Sequence, residues 1–148
     1  MRSWRTGSVE ETRALGSVLA ADLLPDGCLL LYGGLGAGKT ALAQGVAAGL
    51  GGDPGEVQSP TYSLLREHRF REVVLSHLDL YRLSPAEVVA CGFEEVLLGP
   101  GVKIVEWAER LPFAVPGALM LALRPEGETS RVLVELAEPP LFAGSEDH

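Results

Sequence analysis

From Ser8 onward the apolar positions alternate between helical and extended spacing. Ser8 and Glu11 carry the signature of a capping box, and Leu15, Val18, Leu19 and Leu23 recur at helical spacing until Pro25-Asp26-Gly27 interrupts them. That pattern predicts an N-terminal helix ending in a turn. Cys28 to Tyr32 follows as a continuous apolar run, as in a strand covered on both faces. After a glycine-rich stretch, Thr40 to Leu50 is alanine-rich with Leu42, Val46 and Leu50 on one helical face, and Gly51-Gly52-Asp53-Pro54-Gly55 closes it. Thr61 to Glu67 and Glu72 to Leu80 have the residue types of two strands joined across His68-Arg69-Phe70-Arg71. With Ser84 as N-cap, Pro85 in the first helical position and Gly99-Pro100 as the stop, Pro85 to Leu98 is expected to be helical, weakened in its middle by Gly92. Val102 to Trp107 reads as another apolar strand. Ala118 to Leu123 and Arg131 to Leu136 read as a terminal pair joined through Pro125-Glu126-Gly127-Glu128, and residues 139–148 as a frayed tail.

Length and composition narrow this to one domain over residues 1–148, since 148 residues of which 47% are hydrophobic suffice for one core. No apolar run approaches the roughly 18 residues of a membrane span. Met1 to Arg5 lacks the apolar segment and cleavage site of a targeting signal. A soluble, cytoplasmic protein with no membrane partner is expected. The net charge of −8 disfavours unaided grip on a nucleic-acid backbone. Residues 84–148 hold 11 acidic and 4 basic side chains, against 9 and 8 in residues 1–83. Arg66, His68, Arg69, Arg71 and Arg82 form the one basic cluster, read either as an RNA contact or as solvated arginines on a hairpin. Cys28 and Cys91 have neither metal-ligand nor redox spacing, and both are expected to be small buried hydrophobes.

The candidate chemistry centres on Gly33-Gly34-Leu35-Gly36-Ala37-Gly38-Lys39-Thr40, a full G-x4-G-K-T match between a predicted strand and a predicted helix. Gly33, Gly36 and Gly38 let successive backbone N–H groups turn toward phosphate oxygens, and the following helix adds its positive end. Lys39 supplies a cation for the β- and γ-phosphates, and the Thr40 hydroxyl is placed to ligate Mg²⁺. This makes the chain a P-loop nucleotide-binding protein, with ATP and Mg²⁺ as the expected cofactors. The absence of an N-K-x-D guanine-reading motif favours adenine. Phosphoryl transfer needs a carboxylate near the metal, and two apolar runs end in one: Val73 to Leu78 before Asp79, and Val102 to Val105 before Glu106. Asp79 could instead cap a turn, and Glu106 could be an edge ion-pair residue. Thr61, in Gln58-Ser59-Pro60-Thr61-Tyr62, is either a γ-phosphate sensor or part of an ordinary turn. Trp107 either shapes the site or fills core. His77, two residues before Asp79, either holds that carboxylate or packs.

Taken together, Glu11-Thr12-x3-Gly16, the glycine loop, Ser59-Pro60-Thr61-Tyr62, His77-Leu78-Asp79-Leu80-Tyr81-Arg82-Leu83 and Val105-Glu106-Trp107-Ala108-Glu109 resemble the TsaE family of bacterial tRNA threonylcarbamoyladenosine synthesis. The resemblance runs from about Ser8 to Arg110. It implies a compact P-loop α/β fold with a mostly parallel central sheet, flanking helices and added antiparallel strands. It implies slow ATP hydrolysis and partnership with the TsaD and TsaB subunits, which transfer the threonylcarbamoyl group to adenosine 37 of tRNAs reading ANN codons. The tRNA would be reached only indirectly, through that complex. By position, Thr40 and Glu106 would be metal-side residues, with Asp79, Glu106 and Lys39 serving hydrolysis. Thr12, Gly33, Gly36, Ala37, Gly38, Lys39, Thr40, Ala41, Thr61, Trp107 and Arg131 would lie along the nucleotide, Thr12 and Arg131 by the adenine. The chain departs from the family pattern at Gly34, where an aspartate is usual, and at Ala41, where Thr or Ser is common. Two other classes remain open: a small-molecule kinase, which would need an acceptor pocket and an arginine lid from Arg66, Arg69 and Arg71, and a nucleotide-dependent switch without turnover.

Overall fold

The computed structural model describes residues 1–34, 36–57 and 65–140. Its core is a seven-stranded sheet, β1 (Ser3–Thr6), β2 (Cys28–Tyr32), β3 (Leu65–Phe70), β4 (Val73–Asp79), β5 (Val102–Glu106), β6 (Leu119–Glu126) and β7 (Ser130–Leu136), in the order β1-β7-β6-β2-β5-β4-β3. The central strands β6, β2, β5 and β4 run parallel, and β7, β1 and β3 add antiparallel edges. Both faces are covered, which is why β2 and β5 are buried at every position and read as unbroken apolar runs.

Helices α1 (Val9–Leu23) and α2 (Lys39–Gly49) cover one face, packing Leu19, Leu23, Leu42 and Val46 on Leu29, Leu31, Leu75, Ile104 and Leu121. Their backbones touch: a Cβ on Gly16 would lie 2.3 Å from the Leu42 carbonyl oxygen, and one on Gly45 only 2.0 Å from that of Arg13. The other face carries α3 (Pro85–Ala90), α4 (Phe93–Leu97) and the segment from Trp107 to Ala118, packed on Leu30, Leu78 and Val105. Lys103, the second lysine, is buried at the opposite end of the sheet from the glycine loop, where its Nζ donates to the Asp26 carbonyl at 2.9 Å. No helix among the described residues is long and apolar enough to cross a membrane.

Several expectations are corrected. The helix expected over Pro85 to Leu98 is two, because Gly92 adopts φ +75° between them. β3 continues through His68 and Phe70, so the hairpin turn is only Arg71-Glu72, with Arg71 at φ 58°. The start expected for this strand at Thr61 lies outside the described residues. β6 includes Pro125 and Glu126, and β1, absent from the sequence reading, is an edge strand held by β7. Ser8 does accept from the Glu11 amide, but Glu11 Oε1 accepts from Gly7 N rather than closing the box on Ser8. Cys28 is buried, its thiol pushed up to about 12 by desolvation, whereas Cys91 at the end of α3 is exposed.

Candidate functional site

Parallel strands bring their carboxyl ends to one edge, and there β2 delivers the glycine loop beside the ends of β4 and β5. Two glycines of the loop are dictated by geometry. Gly33 sits at φ +148°, where a Cβ would come within 2.4 Å of the Leu123 carbonyl oxygen. Gly38 caps α2 at φ 99° and offers no side-chain acceptor, so the first amides of α2 and its positive end face the loop.

Lys39, 5% exposed, folds back so that Nζ donates to the carbonyls of Gly33 and, at 2.8 Å, Gly34. The Trp107 ring lies over it, its centroid 4.4 Å from Nζ, and the Tyr81 ring packs against Trp107 at 4.7 Å, tilted by 37°. Burial lowers the Lys39 ammonium from its ordinary range, and the charges of Glu109, Glu106 and Asp79 partly restore it. Trp107 holds a left-handed conformation, φ 60° and ψ 46°, rare for a bulky residue. The chain thereby turns sharply between the Glu106 carboxylate and the ring over Lys39.

Glu106 is 3% exposed and accepts from the Thr40 hydroxyl at 3.1 and 3.2 Å through its two oxygens. On its other side His77, fully buried, approaches Oε2 through Nε2 at 2.6 Å. Nδ1 has no partner among the described residues. His77 therefore braces Glu106 rather than Asp79. Asp79 is Glu106's neighbour in register, and its Oδ1 accepts from the Tyr81 amide at 2.9 Å, so it caps its own turn while its charge still acts on Lys39.

The remaining expected residues fall around this centre. Ala37 is buried beneath Gly33, Gly36 lies in the exposed part of the loop, and Ala41 is half-buried in the first turn of α2. Arg131 lies alongside Gly38, its Cγ 3.5 Å from where a Cβ would be. Thr12 is buried, its hydroxyl 2.7 Å from that of Thr6, the register partner of Arg131. Thr61 lies outside the described residues. Gly34 tolerates a side chain, since a Cβ there meets nothing within 4 Å. The sequence alone gives no role to Glu109, whose Oε2 accepts from the Gly33 amide at 2.8 Å, or to Tyr81 against Trp107. Both stood inside quoted motifs, but their partners are set only by the fold.

Comparison with known proteins assigns the family. A family model described as "Threonylcarbamoyl adenosine biosynthesis protein TsaE" matches residues 6–133. A tRNA threonylcarbamoyladenosine biosynthesis protein TsaE from Bacillus subtilis is 37% identical over 86% of this chain and 80% of its own length. Proteins of the same name from a Nostoc and a Synechocystis species are 42% and 46% identical over 70% and 66% of this chain. The matched region spans 66% and 64% of those two relatives, just under two thirds of their length. The crystal structure of Bacillus subtilis YdiB superposes with a TM-score of 0.69 at 33% identity, covering 90% of this chain and 83% of that one.

Proposed function

Because the chain belongs to the TsaE family, we propose that it acts in tRNA threonylcarbamoyladenosine biosynthesis as a Mg²⁺-dependent ATPase, driving or resetting a TsaD–TsaB complex in the cytoplasm. The observation that carries this reading is the bond between Thr40 and Glu106, which joins the end of the glycine loop to a buried strand-end carboxylate. A hydroxyl and a carboxylate side by side are hard oxygen donors suited to Mg²⁺. Among the described residues no cluster of three or more acidic, His or Cys side chains could hold a metal alone. Thr40 and Glu106 would hold the ion, which when bound would neutralise phosphate charge.

The rest of the work falls to this chain's own groups. The loop amides and the N-terminus of α2 bind the triphosphate, and Lys39 moves from the Gly33 and Gly34 carbonyls onto its β- and γ-oxygens. Trp107, with Tyr81 packed against it, covers the lysine and shields it from water. His77 fixes the orientation of Glu106, and Asp79 contributes a second negative charge beside the reacting phosphate. The tRNA is reached through the protein partners.

Lys39→Ala tests this reading by calorimetry. A lost charge-assisted contact is worth roughly 1.5–3 kcal/mol, so Mg-ATP affinity should fall about tenfold or more. Unchanged affinity would remove phosphate binding from the loop.

A further inference from the structure

The segment Glu106–Arg110 touches the glycine loop at three places. Glu106 bonds Thr40 at its end, the Trp107 ring covers Lys39, and Glu109 takes the amide of Gly33 at its beginning. The two outer contacts are hydrogen bonds, and the left-handed turn at Trp107 lies between them. Gly33 itself has little freedom. A side chain there would collide with the Leu123 carbonyl, the glycine's own carbonyl accepts from Lys39, and its amide is taken by Glu109.

From this geometry we propose that Glu109 is a positioning residue for nucleotide binding: by holding the Gly33 amide it fixes the first peptide of the glycine loop, so that the start of the loop stays in place when Lys39 transfers to the phosphates. The inference rests on the nucleotide reading above. At the start of the loop, among the described residues, Lys39 donates to the Gly33 and Gly34 carbonyls and Glu109 accepts from the Gly33 amide. Once a triphosphate claims Lys39, Glu109 remains as the side-chain tether at the loop's start. A carboxylate here also carries a cost that a merely structural residue would not need. Burial raises the Glu109 carboxyl above its usual range, against the opposing pull of its own amide, the Gly33 amide, Lys39 and Arg110. Its Oε1 is buried with no hydrogen-bond partner among the described residues.

The test compares Glu109→Ala and Glu109→Gln with the parental chain, measuring Mg-ATP affinity by calorimetry and hydrogen exchange at the Gly33 amide by NMR. Glutamine keeps an acceptor oxygen and alanine does not. Glu109→Ala should lose protection at Gly33 and bind Mg-ATP about tenfold more weakly, whereas Glu109→Gln should keep the protection and stay within about threefold of the parent. Rescue by glutamine separates loop positioning from a charge effect on Lys39. If both variants weaken equally with Gly33 still protected, or if Glu109→Ala binds like the parent, the positioning role is overturned while the nucleotide reading stands. A parental chain that does not bind Mg-ATP would overturn the nucleotide reading and this role with it.

Discussion

Lys39 carries the site's electrostatics at the scale of a single residue. It is buried under an aromatic ring among three carboxylates, and desolvation sets the direction of its shift, downward from 10.5. A triphosphate would favour the charged form and raise it again. Binding should therefore draw a proton onto Lys39 wherever the free protein has already lost it, below the ordinary lysine range. Calorimetry in two buffers of different ionisation heat should show net proton uptake that grows as the pH is raised toward the ordinary lysine range, about 10.4. No uptake at any pH up to that range would mean that Lys39 does not meet the phosphates. Lys39, Thr40 and Glu106 were legible from residue type and spacing, because the loop motif and the end of an apolar strand each specify a position. The partner of His77 was not. Alternation puts His77 on the same face as Asp79, but the register that sets His77 opposite Ile104 also brings Glu106 within reach. No sequence pattern links Glu109 to a glycine 76 positions away.

Between elements, the contact of α1 with α2 decides how closely the helix that carries the loop can approach the sheet. Replacing Gly16 by alanine gains roughly 1 kcal/mol of helix propensity. The added methyl, however, would stand 2.3 Å from the Leu42 carbonyl oxygen and 2.9 Å from the Val46 amide, backbone atoms that cannot rotate away. Overpacking of this kind costs about 1–3 kcal/mol, and more when the overlap is with backbone, so Gly16→Ala should be destabilising on balance. Its melting temperature should fall by several degrees, at about 2–4 °C per kcal/mol for a chain of this size. Gly34→Ala, with an open Cβ position, should melt within about a degree of the parent, as a surface change worth at most about 0.5 kcal/mol. Equal melting of the two variants would mean that the helices are not in backbone contact. The central strands and both long helices were legible because each is a local pattern, a continuous apolar run or a capped 3.6-residue period. β1 was not, since Ser3-Trp4-Arg5-Thr6 has no apolar run and is a strand only through pairing with Arg131 to Val134. Gly92 was seen as a weak point in a helix, but the choice between a strained helix and a clean break depended on Phe93 and Leu97 finding core of their own.

Over the whole molecule, charge and architecture point the same way. The exposed side chains of Glu87, Glu94 and Glu95 on α3 and α4, with Glu128 on the β6–β7 hairpin, concentrate negative charge in the second part of a chain whose net charge is −8. A phosphate backbone is repelled by such a surface, whereas a basic protein partner is attracted to it. Exposed arginines are spread over the surface, Arg66, Arg69, Arg71 and Arg82 on or beside β3 and β4, and Arg2, Arg5, Arg13 and Arg124 elsewhere, with Arg2 and Arg5 already paired to Asp22, Glu135 and Glu126. This fits a subunit that acts on a tRNA-modifying complex rather than one that holds tRNA by itself. The central claim is that the glycine loop and Glu106 form one ATP-hydrolysing site serving that complex. It is tested most directly by phosphate release from Mg-ATP, measured for the parental chain and for Glu106→Gln, each alone and with a TsaD–TsaB pair and tRNA. The parental chain should turn over slowly alone and faster in the mixture. Glu106→Gln should fold normally yet lose about tenfold or more of the rate in both settings, as expected for removal of one charge-assisted contact. Equal phosphate release by the two proteins in the complete mixture would contradict the claim.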